Sequence, residues 1–256
     1  MRITAAGLTD VGLERDHNED TFRCLDEFGL YLVADGMGGH RSGEVASLMA
    51  ADGMKAFFDA TAREDATWPF PVDPNLSLRQ NRLAAAIKMA NKQIFERSLN
   101  DPAAHGMGTT IVGLFLSVED SSALIAHVGD SRAYRIRDEQ ITQITRDHSL
   151  VNDYIAMMPD LPKEAMDVLP KNVITRALGM QDAVVVDMVA KEIQAGDRFV
   201  LCTDGLSGQV PGKSILQIVM ENGKDLEASA KKLIAAANQA GGDDNVTVIV
   251  VAVDAD

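Results

Sequence analysis

The sequence predicts an α+β fold in which antiparallel sheets are flanked by helices. Short apolar runs of strand length dominate the N-terminal part, the middle and the end of the chain. Helical periodicity is concentrated in a long stretch after the second run and in a stretch near the C-terminus. A parallel doubly wound fold would alternate strand and helix regularly, so the grouped strands favour antiparallel pairing.

The strands are predicted from apolar or alternating segments that are bounded by turn residues. They cover residues 2–8, 29–35, 108–118, 121–129, 132–137, 141–145, 183–192, 197–203 and 245–252. Asp138, Glu139 and Gln140 are predicted to turn a hairpin between two of these strands.

Three longer helices are predicted from apolar positions that recur at helical spacing. The first begins at Ser42 and runs to about Phe58, and the second begins near Ser77. The third precedes Gly241 and Gly242, which are typical of a helix end. Residues 67–74 are predicted to form a loop, and residues 158–173 an irregular stretch after a short helix.

Composition indicates one domain that spans residues 1–256. The chain has 256 residues, of which 46% are hydrophobic, enough for one sizeable core. Its 38 acidic and 24 basic residues give a net charge of −14, so we expect no binding to nucleic acid or to an anionic membrane. The N-terminus lacks the apolar core of a signal peptide, and no run approaches the ~18 apolar residues of a membrane span. We expect a cytoplasmic protein, and a monomer.

Acidic residues stand where several predicted strands start or stop. The apolar runs 30–34 and 199–203 each end in Asp-Gly, at Asp35 and Asp204, while Asp130 follows a third run and Asp244 precedes a fourth. Taken singly, Asp-Gly is more often a hairpin turn. Taken together, these carboxylates indicate a metal site, because clustered carboxylates resist ionisation unless a cation lies among them.

The ligand chemistry of this predicted site favours Mg²⁺, Mn²⁺ or Ca²⁺ over zinc, because the donors are all oxygen. The glycine-rich segment after Asp35 would let the Gly36 carbonyl coordinate as well. No segment has the pattern of an EF-hand loop. Two divalent ions bridged by an aspartate would share a hydroxide suited to in-line attack on phosphorus.

Arg15 is the candidate group for holding a phosphate, because a guanidinium can bind two phosphate oxygens at once. Glu19 and Asp20 follow it closely and could bind metal directly or through water. By spacing alone, a surface ion pair between Arg15 and one of these acids is an equally good interpretation.

A set of short motifs in fixed order extends this pattern over almost the whole chain. They lie at residues 15–20, 33–40, 106–110, 127–132, 145–149, 174–179, 196–207 and 242–248. With them the chain resembles the metal-dependent protein phosphatases of the PPM family, the type 2C serine/threonine phosphatases, and looks closest to their short bacterial members. The ordered set is specific, although no single motif is decisive.

The resemblance implies a four-layer α/β/β/α sandwich of two antiparallel sheets flanked by helix pairs, with a flap at about 147–178. It also implies two Mn²⁺ or Mg²⁺ ions in the core site and a third, weaker ion. Asp35 would bridge the two ions, the Gly36 carbonyl would bind one of them, and Asp204 and Asp244 would complete the other. Asp130 would hold the third ion, Glu19 and Asp20 would act mainly through water, and Arg15 would hold the phosphate.

The implied activity is hydrolysis of phosphoserine and phosphothreonine by a metal-bridging water. The implied partners are phosphorylated proteins and a serine/threonine kinase system that the enzyme would oppose. Some relatives place a histidine directly after the Asp-Gly as general acid; this chain has Met37 there, and His40 is the candidate substitute. Motif spacing favours Asp244 as the ligand, with Asp243 as the second choice.

Other interpretations were weighed against this one. A catalytically inactive relative that serves as a regulatory binding module would have lost metal ligands, yet every implied acidic position is filled. Residues 208–214 lack the first glycine of a phosphate-binding P-loop, and Pro211 removes an amide from it. His105, His127 and His148 are not spaced as a zinc-binding set.

Overall fold

The computed structural model describes residues 1–38, 42–62, 68, 70–158, 169–170 and 173–255. Strands form most of its centre. They are β1 Arg2–Asp10, β2 Asp20–Leu25, β3 Leu30–Met37, β4 Gly108–Thr109, β5 Ile111–Ser117, β6 Ser122–Val128, β7 Arg132–Arg137, β8 Gln140–Gln143, β9 Asp187–Glu192, β10 Arg198–Cys202 and β11 Val246–Asp254.

Helices surround the strands. They are α1 Ser42–Ala60, α2 Leu78–Asn100, α3 Leu150–Met157, α4 Asp204–Ser207, α5 Gly212–Asn222 and α6 Leu226–Ala240, with a short 3₁₀ turn at Pro102–Ala104. Helix α2 begins with a capping box, in which Ser77 and Gln80 satisfy each other's backbone N–H groups. Within the described ranges, no helix has the length and apolar character needed to cross a membrane.

Two antiparallel sheets organise the strands. The first has the order β1-β11-β10-β7-β8, and the second has the order β2-β3-β5-β6-β9, with β4 paired to the end of β3. The hairpin between β7 and β8 turns at Asp138 and Glu139, both at positive φ, as the sequence predicted. Sequence neighbours pair directly in several places, which confirms the antiparallel class.

Side-chain alternation along the strands builds four layers. On β3, Leu30 and Leu32 belong to the apolar cluster beneath α1 and α2, whereas Tyr31 and Val33 belong to the cluster between the sheets. On the other sheet, Val200 joins the cluster beneath α5 and α6. Because both faces of the central strands are covered, these strands are apolar throughout. The predicted α/β/β/α sandwich is confirmed.

Strand β2 and helix α5 were not predicted from the sequence. Strand β2 lies at a sheet edge, and its middle residues are only half-buried, so it lacks the apolar run that marks the central strands. Helix α5 starts within the segment that was weighed as a phosphate loop. There Pro211 immediately precedes the helix, a position in which its missing N–H leaves no helix hydrogen bond unmade.

The predicted strand 108–118 is divided at Thr110. Its N–H donates to the Asp35 carbonyl at 2.8 Å, while the N–H of Thr109 donates to the Leu178 carbonyl at 3.1 Å. The chain therefore changes partners at this point. The predicted strand 183–192 is also shorter, since pairing with β6 begins only at Asp187.

The core between the sheets should dominate stability. We predict that Phe199→Ala lowers the free energy of unfolding by about 3–5 kcal/mol, because this fully buried ring would leave a cavity between two rigid sheets. Urea unfolding measures the change. Met220→Ala on α5, where the side chain is 46% exposed, is the control and should change stability by less than about 1 kcal/mol. An equal effect of both substitutions would contradict the assignment of the core.

Candidate active site

The register of β2 and β3 places two carboxylates side by side, because Asp20 pairs directly with Asp35. The backbone of Asp35 is fixed on its other side. Its carbonyl accepts from the Thr109 hydroxyl at 2.8 Å, and its N–H donates to the Thr110 hydroxyl at 3.1 Å. These bonds hold the end of β3 rigidly, so the side chain of Asp35 has a defined position.

Asp20 joins the two sheets. The Thr203 hydroxyl, at the end of β10 in the opposite sheet, donates to Asp20 Oδ2 at 2.9 Å. The same hydroxyl accepts from the N–H of Thr247 at 3.0 Å, which orients it. Asp20 is only 7% exposed. It therefore lies inside the group of carboxylates.

Asp204 is the first residue of α4, which follows directly on β10. Its carboxylate lies near that of Asp35 and adds to burial in raising the pKa of Asp35. The glycines after these two aspartates do not serve as positive-φ turns, since Gly36 and Gly205 both have ordinary φ values. They allow close approach: a Cβ on Gly205 would collide with the Asn245 carbonyl, and one on Gly36 would collide with the Gly43 carbonyl. The hairpin-turn interpretation is wrong for both.

Asn245 holds the N-terminal loop against the site. Its amide donates to the carbonyls of Val11 and His17, each at 2.9 Å, and its oxygen accepts from the Glu19 N–H at 2.8 Å. The side chain is 5% exposed. Because one buried amide satisfies three backbone groups of residues 11–19, it sets the position of the loop that carries Arg15.

Arg15 and Asp244 form an ion pair, with Nη2 2.7 Å from Oδ2. Arg15 Nε also donates to the Asp243 carbonyl at 3.3 Å. The predicted ion pair of Arg15 with Glu19 or Asp20 is therefore not the one that forms. Asp243 turns away, and its carboxylate accepts from Gln209 at 2.9 Å. This favours Asp244 over Asp243 as the acid facing the cluster.

Asp130 follows β6 and completes the group. Its Oδ1 is buried and has no hydrogen-bond partner. A buried carboxylate oxygen without a donor is costly, so its environment requires either a proton or a cation. Burial raises the pKa of Asp130 to about 7, and the nearby Asp204 raises it as well.

The other carboxyls show the same effect. Burial raises the pKa of Asp20 to about 7 and also raises the pKa values of Asp204 and Glu19. Burial raises the pKa of Asp35 well above its ordinary value, and four neighbouring carboxylates add to this, those of Asp20, Asp204, Asp130 and Asp244. An all-oxygen group of mutually repelling carboxylates fits a hard divalent cation, which would stabilise all of them in the charged form.

A cavity of about 310 Å³ opens beside this group, with Arg15, His17, Glu19 and Asn245 in its wall. Arg15 is about half exposed there, and the Glu19 carboxylate lies beside Gly43 at the start of α1. The Arg15 guanidinium thus lies next to carboxylates that would bind metal cations. Such a cavity suits an anion that also contacts bound metal.

Most of the predicted acidic residues are brought together, and two supporting residues were missed. Thr203 and Asn245 stand inside the motifs but were given no role, because only their contacts with segments distant in sequence reveal one. His40 lies outside the described residues and stays a prediction. Elsewhere, ligand atoms of His127, His148 and Asp187 all lie within 4.8 Å of one another, a grouping that the sequence did not suggest.

This two-sheet sandwich is shared by solved phosphatases. The Mycobacterium tuberculosis serine/threonine phosphatase PstP/Ppp superposes with a TM-score of 0.84 at 33% identity, covering 99% of each chain. A structure of the PstP catalytic domain with two manganese ions superposes with a TM-score of 0.80, also at 33% identity and 99% coverage of each chain. Among sequences, the serine/threonine phosphatase stp of Listeria monocytogenes is 36% identical over 254 residues, covering 95% of this chain and 93% of its own.

Fold and site thus define a metal-dependent phosphoprotein phosphatase. Residues 14–247 match the family model described as protein phosphatase 2C. The chain belongs to the protein phosphatase 2C family. It is a serine/threonine phosphatase that depends on divalent metal, as the resemblance predicted.

Gly205→Ala should lower both stability and metal affinity. The added methyl group would overlap the Asn245 carbonyl, so the loop beneath Asp244 must move; we expect a loss of about 1–3 kcal/mol in unfolding free energy and a lower metal affinity. Gly212→Ala on α5 is the matched control, because its Cβ would meet only Ile141 at 3.7 Å. Thermal unfolding and Mn²⁺ titration measure both. Wild-type behaviour of Gly205→Ala would refute the close-packing argument.

The metal-free protein should lose stability as pH rises. Asp20 and Asp130 hold protons in the folded state up to about pH 7 but release them near pH 4 when unfolded, so folding takes up protons between these values. We expect the melting temperature in EDTA to fall from pH 5 to pH 8 by more than the roughly 2–4 °C that 1 kcal/mol represents. Excess Mn²⁺ should remove the fall, because metal competes with protons. A melting temperature that rises with pH in EDTA would contradict the electrostatics.

Proposed function

We propose that this chain hydrolyses phosphoserine and phosphothreonine in proteins, using two Mn²⁺ or Mg²⁺ ions in the core site and a third beside Asp130. The observation that carries the proposal is the group of buried carboxylates that raise one another's pKa next to the Arg15 cavity. Support comes from the two manganese ions in the PstP catalytic domain.

The ligand roles follow from the positions of the side chains. Asp35 would be the bridging ligand, since Asp20 faces it across the strand pair and the Asp204 carboxylate lies near it. The Gly36 carbonyl and Asp244 would complete the core site, and the unpartnered Oδ1 of Asp130 is available to a third ion. When bound, divalent ions lower the pKa of a coordinated water and stabilise charge on phosphoryl oxygens.

Arg15 would orient the substrate phosphate. Its Nε and one Nη2 hydrogen are engaged by Asp243 and Asp244, which leaves other N–H groups of the planar guanidinium for a phosphate in the cavity. The ion pair with Asp244 limits the rotation of this long side chain. In a chain of net charge −14, a fixed cation offsets part of the repulsion of a dianionic substrate.

The wider biological setting stays an inference from the family. The substrates would be targets of a serine/threonine kinase, and the cytoplasmic location and monomeric state remain predictions of the sequence. We also retain residues 147–178 as the flap of a single phosphatase domain over 1–256. The inactive binding module is disfavoured because all implied acidic ligands are present.

Asp204→Asn tests the activity and the site together. Loss of one carboxylate charge should weaken Mn²⁺ binding and lower turnover of a phosphoserine peptide by about 100- to 1,000-fold, the scale of losing one preorganised electrostatic group. Asp182→Asn, an exposed site, is the control. If the wild-type protein binds Mn²⁺ but turns over neither the peptide nor p-nitrophenyl phosphate, the inactive-module hypothesis replaces this one.

Arg15→Ala should separate substrate binding from metal binding. We expect kcat/KM for a phosphopeptide to fall about 10- to 100-fold, because charge-assisted hydrogen bonds contribute roughly 1.5–3 kcal/mol. Mn²⁺ affinity should stay equal or rise, since Asp244 loses its competing cation. Calorimetric titration with Mn²⁺ provides the second readout. Loss of metal binding in this variant would show that Arg15 has a structural role instead.

A further inference from the structure

The turn that carries Asp130 is held by a histidine from another part of the chain. The N–H of Gly129 donates to His148 Nδ1 at 3.0 Å, and the N–H of His148 donates to the Gly129 carbonyl at 3.0 Å. Gly129 has φ +107°, and a Cβ there would lie 2.7 Å from Cβ of Thr110. Both polar groups of this glycine are thus fixed by one residue, directly before the carboxylate whose Oδ1 has no partner.

These bonds define the tautomer of His148. Because Nδ1 accepts a hydrogen bond, the ring proton lies on Nε2. Nε2 lies 3.4 Å from Asp187 Oδ2 and 3.1 Å from Arg176 Nη1, which donates to the other oxygen of Asp187 at 2.7 Å. Burial lowers the pKa of His148, which favours the neutral ring. In a doubly protonated ring Nδ1 would also carry a proton, so it could not accept a hydrogen bond from the Gly129 N–H.

The same geometry excludes a metal site at this cluster. His127 donates through Nε2 to the Arg146 carbonyl at 2.8 Å, so its buried Nδ1 keeps a lone pair and resembles a ligand. However, the Arg176 guanidinium lies 3.1 Å from Nε2 of His148, in the place that a metal ion would have to occupy. The two histidine rings instead stack with centroids 4.7 Å apart. The cluster is a hydrogen-bonded support.

His148 also connects the Asp130 turn to the segment next to the site. Its carbonyl accepts from the Thr175 N–H at 2.9 Å, and Ser149, the following residue, caps helix α3. Arg176 and Ala177 line a second cavity, of about 350 Å³, which Met37 at the end of β3 also borders. His148 therefore contacts both the turn that carries Asp130 and the wall of a cavity beside the carboxylate group.

We propose that His148 is a positioning residue for the Asp130 carboxylate. Its Nδ1 acceptor fixes the Gly129 peptide and so sets the affinity with which the protein binds the ion that Asp130 would hold. The inference rests on the metal role proposed above for Asp130. A partner that orients a ligand without touching the metal commonly changes metal affinity by about 10- to 100-fold when it is removed.

Two substitutions of His148 separate the acceptor from the rest of the ring. In His148→Asn, Oδ1 can occupy the place of Nδ1 and accept from Gly129; in His148→Gln, the amide reaches the place of Nε2 instead. We expect His148→Gln to weaken Asp130-dependent Mn²⁺ binding at least about 10-fold and His148→Asn to keep it near the wild-type value. His105→Gln, on an exposed loop, is the matched control.

The measurement is an Mn²⁺ titration of the full chain. Binding is monitored by calorimetry and by the electron paramagnetic resonance signal of free Mn²⁺. The Asp130-dependent step is the one that Asp130→Asn abolishes in the wild-type background. Equal affinities of His148→Asn and His148→Gln, whether both normal or both weak, would overturn the proposal. If His148→Gln fails to fold, loss of the step in a folded His148→Asn does the same.

The titration also distinguishes the two levels of inference. Should Asp130→Asn bind Mn²⁺ like the wild type, the metal role of Asp130 is wrong and the positioning role falls with it. If Asp130→Asn removes a step that both His148 variants retain, the metal role stands and only the positioning role is wrong.

Discussion

Mutual repulsion among buried carboxylates is the constraint on which the rest of this structure depends. Asp20, Asp35, Asp130 and Asp204 lie close enough at one end of the sandwich to raise one another's pKa. Without a cation such a group favours protonation and works against close packing of the strands that carry it. The fold must therefore hold these residues by other means, and the same repulsion favours binding of a divalent cation among them.

Several neutral polar residues provide that support. Thr203 ties Asp20 to the opposite sheet, and Asn245 fixes the loop that carries Arg15 and Glu19. His148 holds the turn before Asp130. Each donates or accepts through a buried, uncharged group. Such a group positions a carboxylate or its backbone without neutralising the carboxylate, so the negative charge stays available to a metal ion. The group of carboxylates is thus held by a wider network of hydrogen bonds.

How much could be predicted from sequence depended on where an element lies. Central strands such as β3 and β10 are buried on both faces, so their continuous apolar runs identified them. Strand β2 is an edge strand without such a run, and it was missed although it carries Asp20. The Asp-Gly pairs correctly indicated that their carboxylates lie close together. Their glycines have a different purpose from a turn, because Gly205 makes room for the Asn245 carbonyl.

The sequence by itself determined the α+β class, the family and the set of candidate acidic ligands, because these follow from local apolar patterns and from motifs in fixed order. Only the tertiary structure decided which residues act on one another. The pairing of Arg15 with Asp244, of Thr203 with Asp20 and of His148 with Gly129 joins segments that are separate along the chain. Local preference contains no information about such contacts, since strand register and the packing of two sheets create them.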